Sequence, residues 1–164
     1  GKGYNINVPL LENTGDEEFL WAFERIFPPV AAAFKADIVC AVIGIDIIFS
    51  DPLTHLQMTN NAFMKAVKTI TGAAPKLLAL GSGGYVLDNI EAGWTLAWAA
   101  MNDLEPREED AVTFGGMFWG DGLSSLMAQP HFLPDSVREK TAKEVERIYR
   151  YIKKTIFPVL GIKV

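Results

Sequence analysis

The chain has 164 residues, of which 49% are apolar and 21% charged, a balance that excludes intrinsic disorder and fits one domain with its own core. Its net charge of −5 argues against a nucleic-acid partner, which would call for a basic patch. A single cysteine, Cys40, excludes an internal disulfide, and no stretch reaches the roughly 18 consecutive apolar residues of a membrane span. No basic-then-apolar leader opens the sequence, so a cytoplasmic location with no membrane partner is expected.

In chain order, Gly1-Lys2-Gly3-Tyr4 carries no initiator methionine and leads straight into strand-like Tyr4-Asn5-Ile6-Asn7-Val8. An internal piece of a longer protein is therefore expected. Thr14-Gly15-Asp16-Glu17 has the form of a capping box, a threonine followed three positions later by glutamate. Phe19, Phe23, Phe27, Val30 and Phe34 then recur at helical spacing, and Pro28-Pro29 is expected to kink that helix or divide it. Ile38 to Ile43 is a continuous apolar run rich in β-branched residues, which predicts a parallel-sheet strand buried on both faces, with Cys40 an inert thiol inside it.

Thr59 or Asn60 caps a second predicted helix that runs to about Thr71, with Phe63, Ala66, Val67 and Ile70 on one face. Gly72 and Pro75 end it, and Lys76 to Leu80 is a second predicted buried strand. Ile90, Trp94, Ala97, Trp98 and Met101 mark a third helix. Strand, helix, strand, helix in succession predicts an α/β layered sheet with right-handed crossovers. Beyond Asp103 the sequence turns polar, and Phe114 to Gly120 reads as an irregular, aromatic-rich loop. Pro134-Asp135-Ser136 opens a last helix with Val145, Ile148, Ile152 and Ile156 as its apolar stripe, stopped by Pro158. The basic residues from Arg138 to Lys154 are interrupted by Glu139, Glu144 and Glu146, so they read as a solvated helix face. Nothing repeats. One domain is expected, with its sheet, helices and site loops in residues 1–103 and an irregular segment plus a C-terminal helix in 104–164.

Chemistry concentrates in the two loops that follow the strands. Ligands of parallel α/β sheets sit at the carboxyl ends of the strands. Asp46 lies three residues beyond Ile43 and Tyr85 five beyond Leu80, and a single helical crossover brings both to one sheet edge. Read on its own, Asp46 can be a metal ligand or a capping or turn residue, Asp51-Pro52 can be a turn, and Tyr85 can be a hydrogen-bond donor or a packing residue. Gly81-Ser82-Gly83-Gly84 does not complete a dinucleotide fingerprint, because Val86 stands where the last glycine belongs, and no G-K-[ST] phosphate loop occurs. These glycines are expected to allow close backbone approach or positive φ.

Together these segments resemble the zinc-dependent histone deacetylase family, especially its bacterial acetoin-utilization branch. The family's G-x-D-x-x-x-x-D-P-L segment is matched by Gly44 to Leu53, and the T-H-L that follows by Thr54-His55-Leu56. Its L-G-G-G-G-Y loop is matched by Leu80 to Tyr85 except at Ser82. Its G-K-G-x-x-x-N-V-P-L and G-D-E-x-x-L segments match Gly1 to Leu10 and Gly15 to Leu20. The likeness covers about residues 1–103.

The resemblance implies part of a three-layer, parallel-sheet arginase/deacetylase-like fold. It implies that Asp46 is one of three protein ligands of a catalytic zinc and that Tyr85 hydrogen-bonds the substrate amide oxygen. Pro52 and Leu53 would line an acyl-lysine channel, and Gly83 and Gly84 would let the substrate pass close to backbone. Tyr4 matches a position whose backbone carbonyl helps bind potassium in some members. Zinc with an open position activates water and polarises a carbonyl, a tyrosine hydroxyl stabilises the oxyanion, and a histidine serves as base and acid.

This chain has no His-His pair and no Asp-x-His; its histidines are His55, read as structural or supporting, and His131, read as a loop residue. Ile47, Ile48 and Ser82 also depart from the family pattern. The expectation is therefore the C-terminal portion of a deacetylase acting on acetylated lysine or a small acetylated amine. It would be inactive alone and partnered by the N-terminal portion of the same protein, or by a second copy in a homo-oligomer through exposed apolar surface. The alternative is a non-catalytic binding or structural module that keeps the scaffold.

Overall fold

The computed structural model describes residues 3–105, 126–127 and 131–163. Five helices and strands come from the first part of the chain: α1 (Asp16–Phe34), β1 (Val39–Ile43), α2 (Asn60–Thr71), β2 (Leu77–Gly81) and α3 (Leu87–Met101). A long helix, α4 (Asp135–Thr155), and a 3₁₀ turn (Phe157–Leu160) follow. β1 and β2 pair in parallel, in register from Val39 opposite Leu77 to Ile43 opposite Gly81. The α2 crossover between them is the βαβ unit that the alternation of elements predicts.

Two apolar clusters hold this arrangement. The first joins Ala41 and Ile43 of β1 to Phe63 and Val67 of α2, Ala97 and Ala100 of α3, and Ile45 and Ile48 of the loop after β1. Ile45 is completely buried, and burial of such a side chain contributes about 1.5–3 kcal/mol. The second packs Ala22 and Ile26 of α1 against Val145, Ile148 and Ile152 of α4 and Phe157 of the 3₁₀ turn. The Val145, Ile148, Ile152 stripe thus meets α1 as its spacing predicts.

The seam between the clusters is polar. Asp16, at the start of α1, accepts hydrogen bonds from the backbone N–H (2.7 Å) and hydroxyl (2.6 Å) of Thr59, the residue before α2. Gly15 bridges to Gln57, and the Gln57 N–H donates to the Thr14 carbonyl at 2.9 Å. The N-termini of two helices are thereby tied across 43 residues of sequence.

Several expectations change. The Thr14–Glu17 capping box does not form: Gly15 precedes the first turn of α1, and the Thr14 hydroxyl donates to the Leu11 carbonyl at 2.7 Å. Thr59 caps α2 in position, but its side chain is spent on Asp16. Pro28-Pro29 does not divide α1, which runs unbroken because Ile26 before the prolines and Val30 after them both pack on the second cluster. Tyr4 to Val8 is not a strand; Ile6, Val8 and Leu10 lie half-buried against the α1–α4 cluster.

The strands are not buried on both faces. Val42 is 69% exposed, Leu78 49% and Leu80 46%, and Cys40 is exposed rather than buried, because α2 and α3 cover one face of the pair and nothing among the described residues covers the other. Phe114 to Gly120, expected as an irregular loop, lies outside the described residues.

Candidate active site

The loops after β1 and β2 leave the same edge of the sheet and are stitched together at once. The Ile45 N–H donates to the Gly83 carbonyl at 2.7 Å, extending the strand pairing one step past its end. The Ile45 side chain then runs beneath the second loop. A Cβ on Gly84 would stand 2.1 Å from Ile45 Cγ2, and one on Gly93 in α3 would stand 2.2 Å from Ile45 Cδ1. Gly84 also has φ +147°, a conformation open to glycine and strained for other residues. One buried isoleucine therefore requires glycine at two places in the site.

Asp46 follows directly. Its carboxylate lies in the concavity between the loops: Oδ2 would be 2.2 Å from a Cβ on Gly83, and Oδ1 2.6 Å from a Cβ on Gly44. The Asp46 carbonyl accepts the Thr54 hydroxyl, which pins the backbone behind the carboxylate. The carboxylate itself makes no hydrogen bond or ion pair to another described residue, and it is half-buried. A carboxylate held by its backbone with free oxygens is an available ligand or proton acceptor. The capping and turn readings of Asp46 lack support, because no backbone N–H among the described residues bonds its side chain.

Tyr85 is 56% exposed, and its hydroxyl has no partner among the described residues. The described residues therefore give this tyrosine no buried packing position. Its backbone is fixed instead: the Tyr85 N–H donates to Asp51 Oδ2 at 2.9 Å, while Asp51 Oδ1 accepts the Leu53 N–H at 2.9 Å. Asp51 is only 6% exposed, although Asp51-Pro52 reads in the sequence as a turn. The turn is real, but the second oxygen reaches the other loop, and only a tertiary partner 34 residues away reveals it. Asn89 of α3 adds a further tie by donating to the Ser50 hydroxyl at 2.8 Å.

Pro52 and Leu53 are exposed on the rim, Leu53 to 62%. Gly83 and Gly84 do permit close backbone approach, but the groups that approach their missing side chains are Asp46 and Ile45 of this same chain. Ile48 is buried in the first cluster and Ile47 packs on it, so two of the three residues that depart from the family pattern serve the core, while Ser82 is exposed in the second loop. The His131 ring stacks on Phe49 (centroids 4.4 Å apart) and its Nε2 lies 2.9 Å from Gln57 Oε1, at the outer margin of the Asp46 loop. His55 is exposed, and its carbonyl accepts the Asn13 N–H at 2.7 Å. Tyr4 is 68% exposed, and no hydrogen bond joins it to either loop among the described residues. An apolar hollow of about 230 Å³ between Ile6, Val8, Leu10 and Phe19, Phe23 and Phe27 of α1 is lined by no titratable group and lies apart from the site.

Zinc needs four donors, usually three from protein at a catalytic centre. Among the described residues no group of three His, Cys, Asp or Glu side chains converges, so these residues do not by themselves make a zinc site. Asp46 is chemically suited to supply one oxygen of such a set.

Comparison with known proteins assigns this arrangement to a class. Residues 1–101 match the histone deacetylase domain, and the chain belongs to that family. It shares the fold of a histone deacetylase homologue from Aquifex aeolicus, with a TM-score of 0.65 and 25% identity over 91% of this chain and 43% of the homologue. The fold is accordingly the α/β arginase/deacetylase-like one. Within the family, the chain is 35% identical over 112 residues to the acetoin utilization protein AcuC of Staphylococcus xylosus, covering 65% of this chain and 29% of that protein. It is 40% identical over 109 residues to AcuC of Staphylococcus aureus, covering 63% and 28%. A probable deacetylase of Archaeoglobus fulgidus is 29% identical over 84% of this chain and 41% of its own length. The chain thus spans under half the length of each of these relatives. No helix among the described residues is long and apolar enough to cross a membrane.

Proposed function

We propose that this chain is the C-terminal portion of a zinc-dependent deacetylase that hydrolyses the amide of an acetylated lysine or a small acetylated amine in the cytoplasm. The observation that carries the reading is the pairing of the two loops: a carboxylate, Asp46, and a phenol, Tyr85, both without a side-chain partner among the described residues, held on one sheet edge by the Ile45–Gly83 and Asp51–Tyr85 hydrogen bonds. In this reading Asp46 supplies one zinc ligand, and the other ligands and the histidine base come from the rest of a longer protein. The metal would activate water and polarise the amide carbonyl.

Tyr85 donates a hydrogen bond to the oxygen that gains charge as the amide carbonyl becomes tetrahedral, an interaction whose loss typically costs about 10²–10³ in rate. Pro52 and Leu53 form an apolar wall for the acyl-lysine stem, and the missing side chain of Gly83 leaves room for the Asp46 carboxylate beside the backbone. A potassium site at the Tyr4 carbonyl belongs to the same reading, as does contact with the N-terminal portion over the uncovered sheet face.

The test is hydrolysis of an acetyl-lysine peptide by the full-length protein with zinc. Turnover lost on chelation and restored by zinc supports the enzyme. No turnover of acetylated peptides or polyamines by zinc-loaded protein would favour a binding module on the same scaffold.

A further inference from the structure

We propose that Asp51 is a positioning residue for Tyr85, setting the tyrosine's place relative to Asp46 through the peptide backbone; this rests on the reading of Tyr85 as the oxyanion donor. The geometry is specific. A carboxylate that is 6% exposed would be costly to bury without partners, and this one divides its oxygens between the two loops. Oδ1 closes its own turn on the Leu53 N–H at 2.9 Å, and Oδ2 accepts the N–H of Tyr85 itself at 2.9 Å. The Asp51 N–H donates in turn to the Ile48 carbonyl (2.9 Å), and the Ile48 N–H to the Ile45 carbonyl (3.3 Å), so the carboxylate is anchored to the turn that carries Asp46. Among the described residues no cation pairs with Asp51, so its charge is met by backbone N–H groups alone.

The exposed Tyr85 ring, by contrast, has no hydrogen bond of its own to hold it among the described residues. Its placement depends on backbone restraint, and the bond to Asp51 is the hydrogen bond made at its own N–H. A carboxylate suits this position because both its oxygens accept. An amide of the same shape would turn its NH₂ toward one of the two N–H groups and lose that bond. A serine can still bond its own turn but is too short to span to the second loop.

The experiment uses the full-length zinc-loaded protein and an acetyl-lysine peptide, with Asp51→Asn and Asp51→Ser made alone and in a Tyr85→Phe background. Both single variants are expected to lower kcat by about 10–10²-fold, the scale of a small displacement of a reacting group, with KM and zinc content little changed. In the Tyr85→Phe background the same substitutions should cost almost nothing further, because the hydroxyl they position is gone. Faster hydrogen exchange at the Tyr85 amide in Asp51→Ser is the accompanying readout that needs no catalysis. Equal losses in both backgrounds, or unchanged exchange at Tyr85, would overturn the proposal while leaving the Tyr85 assignment standing. Full activity in Tyr85→Phe alone would remove the assignment and the proposal together. Should Asp51→Asn fail to fold, Asp51→Ser decides the matter by the same criteria.

Discussion

The Asp46 carboxylate rests against the backbone of Gly83, with Oδ2 where a side chain on that glycine would have to stand, 2.2 Å from its Cβ position. Even the smallest substitution there must move the carboxylate or the loop. Gly83→Ala is therefore expected to weaken zinc binding in the full-length protein by at least tenfold while the fold persists. Zinc titration of the variant checks it, and an unchanged zinc affinity would contradict it.

Ile45 makes a second demand on glycine. Gly93→Ala places a Cβ 2.2 Å from Ile45 Cδ1 inside a packed helix, and the overpacking is expected to cost about 1–3 kcal/mol of stability. Ile45→Ala removes the atoms that clash, so Gly93→Ala made in that background should cost much less. Urea unfolding of the four proteins of this cycle measures the coupling. Purely additive losses would mean that the close approach does not set the cost.

The 164-residue chain purified alone is expected to show no deacetylase turnover. Among the described residues Asp46 is the one candidate carboxylate ligand in the site, and no metal-binding cluster surrounds it. An acetyl-lysine peptide assay with added zinc checks this. Turnover by the chain that disappears in Asp46→Ala would contradict it.

The parts legible in the sequence were those fixed by local pattern. Both strands lie within a residue of the apolar runs that predict them, because Gly44 and the Gly72–Pro75 stretch punctuate those runs. One crossover helix between parallel strands sufficed to bring Asp46 and Tyr85 to the same edge. What was not legible depended on distant partners. Asp51-Pro52 looks like a turn until Tyr85 appears opposite, and Thr59 looks like a cap until Asp16 takes its hydroxyl. The glycines of the second loop signalled close approach without saying to what, and Ile45 and Asp46 supply the answer. Continuous apolarity in β1 reports that both faces favour burial, but not which of them the described residues cover.

That uncovered face has its own consequence. Val42, Leu78 and Leu80 form an apolar surface on the paired strands, and Cys40 lies exposed beside them. The isolated chain is expected to self-associate at high concentration, with the Cys40 thiol open to a soluble thiol reagent in native conditions. Val42→Thr with Leu80→Thr should reduce association without disturbing the first cluster. Light scattering and thiol-labelling rates check both points; a monomer at high concentration with an unreactive Cys40 would contradict them.

With Asp46 as a metal ligand and Tyr85 as the oxyanion donor, the two side chains should fail in different ways when removed from the full-length protein. Asp46→Ala is expected to empty the site of zinc, since a catalytic zinc rarely survives the loss of one of three ligands. Tyr85→Phe should retain full zinc and lose about 10²–10³ in kcat, because its contribution is made chiefly in the transition state. Metal analysis beside steady-state kinetics on these two variants is the decisive measurement. Stoichiometric zinc in Asp46→Ala, or full activity in Tyr85→Phe, would contradict the assignment.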